Sequence, residues 1–129
     1  MVLRPVETVN ADGSKSYTSG RVNTQNKHNF TYGKFEVRAK VPEGKGYLPA
    51  FWLMAADENV YGQWPRCGEI DIMEVLGDAV DTLHGTIHYG HNSTTGHSQS
   101  QGTYRLSSGS FADDFHTFSS ASINQNAGK

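Results

Sequence analysis

Cysteine is almost missing from this chain of 129 residues, and Cys67 stands alone. One thiol cannot form an internal disulfide framework, and by itself it cannot build a cysteine-based zinc site. Long apolar runs are missing too. No stretch approaches the roughly 18 residues of a membrane-spanning helix, so no membrane partner is expected. The opening Met1-Val2-Leu3-Arg4-Pro5 lacks the apolar stretch of a signal peptide. Neither charge dominates: 11 basic residues face 13 acidic ones, and the isoelectric point is about 6.3. Binding nucleic acid by neutralising phosphates needs a basic surplus, so no nucleic-acid partner is expected. No segment holds a 3.6-residue apolar period, which argues against a helical bundle.

What remains is glycine, with 14 copies, many small polar residues, and short apolar runs between turn signals. That pattern predicts an all-β sandwich or a curved antiparallel sheet. Residues 1–16 are polar, are broken by Pro5 and Asp12-Gly13, and are expected to be irregular. Phe30 to Val41 is the clearest strand, and from Lys34 to Val41 polar and apolar residues alternate strictly, the mark of one wet face. Leu48 to Met54 is apolar on both faces and suits an interior strand, with Pro49 near its start. A polar loop is expected from Asp57 to Gly68. Leu83, Gly85, Ile87 and Tyr89 alternate with His84, Thr86 and His88. His91 to Gly102 reads as a loop, and short strands are expected at Thr103–Leu106 and Phe115–Phe118.

The chemistry concentrates in Glu69-Ile-Asp71-Ile-Met-Glu74. On a regular strand, Glu74 would enter the core beside Ile70 and Ile72, and burying an unpaired carboxylate costs several kcal/mol. A one-residue β-bulge near Ile72-Met73 removes the conflict. It turns Glu74 onto the face of Glu69 and Asp71 and returns Val75 to the core. The ends of that row then lie roughly 13 Å apart along the backbone. Side chains leaning together reach the roughly 5–5.5 Å carboxyl spacing of retaining glycoside hydrolysis. Glu69 is then the nucleophile and Glu74 the general acid/base. The charge of Asp71 between them keeps Glu74 protonated while Glu69 stays ionised. The alternatives are a merely solvated face, or a calcium or magnesium site, for which the chain supplies no second acidic cluster nearby.

Around this strand the chain resembles glycoside hydrolase family 16. The resemblance rests on Gly68-Glu-Ile-Asp-Ile-Met-Glu-Val75, together with Tyr17-Thr-Ser-Gly-Arg-Val22, Tyr32 to Lys40, Leu48 to Met54, His84-Gly-Thr-Ile-His88 and Phe111 to Phe118. It implies a β-jelly-roll sandwich with a concanavalin-like fold, and the bulged E-x-D-x-x-E form is similar to that of laminarinases, the endo-β-1,3-glucanases. It implies Glu69 as nucleophile, Asp71 as its assistant and Glu74 as acid/base. A β-glucan, β-1,3 or mixed β-1,3/1,4, is the expected partner. No cofactor and no catalytic metal are expected; a structural calcium ion is left open without an identifiable site.

Trp52 and Trp64 are candidate sugar platforms, the alternative being core packing. By the resemblance His88 is an active-site residue, Arg38 and Arg21 are candidate sugar or carboxylate partners, and Asn23 is a further candidate. A zinc site from His84, His88, His91 and His97 is disfavoured. The resemblance stops at Phe118, and residues 119–129 are expected to form a flexible or foreign tail. Residues 17–118 then make a partial catalytic domain, truncated relative to the family, from a secreted parent. Its uncovered strands are expected to need self-association or a complementing chain. A non-catalytic, carbohydrate-binding remnant is the alternative function.

Overall fold

The computed structural model describes residues 1–90 and 96–123, the last three by their backbone only. In chain order the described elements are β1 (Val6–Val9), β2 (Lys15–Thr18), β3 (Gly33–Ala39), β4 (Ala50–Met54), α1 (Glu58–Tyr61), β5 (Glu69–Val75), β6 (Thr82–Gly90), β7 (His97–Arg105) and β8 (His116–Ile123). β1 pairs with β2, β3 with β8, and β4-β5-β6-β7 form one sheet in sequence order. Every pairing is antiparallel.

Alternation decides what each strand buries. In β3, Phe35, Val37 and Ala39 turn inward while Lys34, Glu36 and Arg38 stay exposed. Val37 and Ala39 pack with Phe118 of β8 onto Met73 and Val75 of β5, and Val41 and Phe111 close the cluster. The β3–β8 pair therefore lies over the inner face of the four-stranded sheet, giving the two layers that a one-sided sheet needs. Val75 is 0% exposed at the centre of contact. Beyond it, Gly77 lies against the 44–47 loop, where its N–H bonds the Tyr47 carbonyl at 2.9 Å. Any side chain there would collide with the Gly44 carbonyl.

Four expectations need correcting. Residues 1–16 are not irregular throughout: β1 and β2 form a hairpin around Asp12-Gly13. Gly13 adopts φ +82°, and the Asp12 carboxylate accepts the Ser14 N–H at 3.0 Å. Aspartate-glycine is a hairpin signal as well as a turn signal. β7 occupies much of the expected 91–102 loop. It carries no apolar residue before Tyr104, so hydrophobic alternation had nothing to report. The 57–68 loop contains the single helical turn α1, with Asp57 accepting the Asn59 N–H at its start. The ladder of β8 does not stop at Phe118: Ser119 and Ser120 pair with Glu36 and Phe35, and Ile123 with Gly33. Only residues 124–129 of the expected tail, like His91, lie outside the described residues.

Candidate active site

The bulge in β5 is present. Phe51 pairs with Met73 but Trp52 with Asp71, so Ile72 has no partner on β4. On the other side Asp71 pairs with Thr86 and Glu74 with His84, leaving two residues of β5 against Gly85 alone. The extra residue shifts the parity of the strand. Met73 and Val75 then enter the core at 3% and 0% exposure. Glu69, Asp71 and Glu74 share the opposite face with their cross-strand neighbours His88, Thr86 and His84.

Each carboxyl group has its own surroundings. Glu69 accepts a hydrogen bond from Trp64 Nε1 at 2.6 Å. A neutral donor at that distance fixes one oxygen of the carboxyl group. Glu74 Oε2 lies 3.5 Å from Thr86 Oγ1, and Thr86 in turn accepts from Gln101 Nε2 at 3.3 Å. Asp71 is buried, and its Oδ2 faces His88 Nε2 at 3.1 Å. Burial first, then the charges of Glu74 and Glu69, push the Asp71 carboxyl up to about 6, against the opposing pull of His88. The sequence reading made Asp71 the fixed charge that raises Glu74. In the structure the middle carboxyl is the one driven toward its neutral form, because it is the deepest.

The loop before β5 completes the site. Trp64 is 45% exposed, so its ring face stays open beside Glu69. The loop is held there where the Arg66 backbone packs directly over Gly90. A Cβ at Gly90 would come within 2.8 Å of the Arg66 backbone nitrogen, so a side chain there would push the loop off. Trp52, the register partner of Asp71, shares the carboxylate face, and the Arg21 guanidinium stacks 4.6 Å above its ring. Neither tryptophan belongs to the buried core cluster.

Two expected sugar partners are elsewhere. Arg38 sits on the exposed face of β3, across the core from the carboxylates, with its guanidinium 4.8 Å over the Phe115 ring. Period-two alternation required this, since Val37 and Ala39 claim the inner face. Asn23 is exposed, and its side chain accepts the Gln25 N–H at 3.1 Å, closing a local turn. Sequence reasoning missed Thr86 as a partner of Glu74 and Gln101 as a donor to Thr86. It also missed His97 as a neighbour of His88, because an all-polar edge strand looks like a loop. Asp71, Glu74 and His88 each offer a ligand atom within 4.8 Å of the others. The same closeness follows from the pairing of β5 with β6, and we assign no ion to it.

Comparison with known proteins gives this geometry a context. The profile of "Glycosyl hydrolases family 16" matches residues 7–121. The chain is 44% identical over 111 residues to a glucan endo-1,3-beta-glucosidase of Cryptopygus antarcticus, covering 85% of this chain and 38% of that protein. It is 42% identical over 104 residues to glucan endo-1,3-beta-glucosidase A1 of Niallia circulans, covering 80% of this chain and 15% of that one. Among solved structures, the laminarinase catalytic domain from Thermotoga maritima superposes with a TM-score of 0.72 at 40% identity, over 91% of this chain and 47% of that domain. The chain thus spans less than half the length of these relatives. Its two packed sheets are part of a β-jelly-roll sandwich.

Proposed function

The chain belongs to glycosyl hydrolases family 16, and from that premise we propose that it carries the catalytic strand of a retaining endo-β-glucanase acting on β-1,3- or mixed β-1,3/1,4-glucan. The observation that carries the reading is the bulged row itself. Glu69, Asp71 and Glu74 share one face, and an indole N–H is already bonded to the first of them. Glu69, held by Trp64, attacks the anomeric carbon as the glycosidic bond breaks and the leaving oxygen takes the proton of Glu74. A water molecule then gives its proton to Glu74 and displaces Glu69 from the sugar, so the configuration is retained. Asp71, paired with His88, sets the charge between the two. Trp64 and Trp52 offer apolar faces to pyranose rings. The chemistry runs on carboxyl groups and water and calls for no cofactor. A polysaccharide substrate fits a secreted parent.

Release of reducing sugar from laminarin, lichenan, agarose and carrageenan tests the proposal. We expect activity on the first two. We expect Glu69→Gln to lose at least about a thousandfold while remaining folded, since an amide cannot form the glycosyl-enzyme bond. Binding of laminarin by well-folded protein without release of sugar would instead support a carbohydrate-binding role.

A further inference from the structure

His97 touches both supports of the row, and it lies on β7, a strand that contributes none of the carboxylates. Its Nε2 is 2.9 Å from His88 Nδ1. Its ring packs on Trp64 with centroids 4.9 Å apart and lies nearly parallel to the His88 ring at 5.1 Å. Trp64 holds Glu69, and His88 faces Asp71. The register explains the contact: His97 lies opposite Gly90, two residues beyond His88 on the same face of β6.

We propose that His97 is a positioning residue for the reaction, accepting the His88 Nδ1–H so that the other edge of His88 is directed at Asp71, while bracing the Trp64 ring that holds Glu69. The proposal rests on the hydrolase reading given above. The logic is that of an imidazole whose role at one nitrogen is set by the hydrogen bond at the other. With His97 neutral and accepting, protonated His88 can donate at both nitrogens, to His97 and toward Asp71. Without an acceptor at Nδ1, the ring is free to rotate or to take the opposite tautomer. Among the described residues, the titratable groups around His88 are Glu69, Asp71 and Glu74 on β5 and His97 on β7.

The test compares His97→Leu, which fills the space without an acceptor, with His97→Gln, which restores one. Imidazole nitrogen NMR of the resting full chain reads the tautomer of His88 with no substrate present. This arm stands even if no polysaccharide is cleaved. We expect the His88 Nδ1–H signature to be lost in His97→Leu and His97→Gln to recover most of it. On the cleaved glucan, kcat should fall about tenfold in His97→Leu, the equivalent of one positioning hydrogen bond. KM should hold, and His97→Gln should recover most of kcat. His88 resonances unchanged in both variants would overturn the proposal. Equal changes in both would overturn it too, since ring packing alone would then account for the contact.

Discussion

The interior of this molecule has two ends, built by the same strands, and only one is closed. At the closed end Met73 and Val75 meet Val41, Phe111 and Phe118, each at most 5% exposed. At the other, Ile70, Leu53, Phe35 and Tyr89 line an open pocket of about 510 Å³, and Ile87 is 51% exposed. The apolar residues are equally plentiful. What differs is the strand lying over them. β8 sends Phe118 inward opposite Val37, but its next inward residue, opposite Phe35, is Ser120. The Ser120 Oγ is buried with no hydrogen-bond partner. A strand pattern announces a face to be buried, and burial itself depends on the layer opposite.

That contrast can be broken from either end. The largest effect is expected at the closed end. Phe118→Ala should cost about 3–5 kcal/mol, on the scale of a small domain's whole stability, and should abolish the cooperative urea transition. Ile87→Ala, at the open end, should cost less than about 1 kcal/mol, because little packing is lost where water already reaches. Similar losses at the two sites would mean that the open end is covered in solution. Next in size is Ser120→Val, which removes an unsatisfied hydroxyl and adds apolar bulk. We expect a gain of about 1–2 kcal/mol in the same urea titration and weaker binding of a hydrophobic dye to the open pocket.

A pH-dependent effect sharpens the comparison between the two faces of β5. The folded chain holds the Asp71 proton to about 6, against an ordinary value of 3.8. The native state binds this proton more tightly than the unfolded chain does. The stability it contributes is full below about 4 and is lost as the pH rises through about 6. Asp71→Asn should remove that slope. The advantage of the variant over the parent chain should therefore be larger at pH 7.5 than at pH 4.5 in urea midpoints. An equal advantage at both values would show that Asp71 titrates normally.

Much of this was legible in the residues. The bulge followed from one conflict, a glutamate that regular pairing would have buried beside isoleucines, and the register of β5 resolves it at the expected place. His88 beside the row followed from alternation along β6. Arg38 was named by the resemblance, while its place between Val37 and Ala39 already assigned it to the exposed face of β3. β7 and its His97 were not legible. With water on both sides, such a strand needs no apolar alternation, and only its hydrogen bonds to β6 define it. The opening hairpin was hidden in the same way, since all eight of its strand residues are exposed.

The extra residue at Ile72 also bears on how accurately the chain can assemble. A strand that pairs one residue out of register sends its whole apolar set to the wrong face. β5 changes parity at one point, so a pairing that omits the bulge inverts one half of the strand and drives acids into oil or oil into water. Doubling Ile72 and Met73 against one residue of β6, here Gly85, keeps the carboxylates outside and Met73 and Val75 inside at once. The irregularity that aims Glu74 therefore also works as a proofreading mark during folding, penalising a regular pairing of the central strand before any substrate is met.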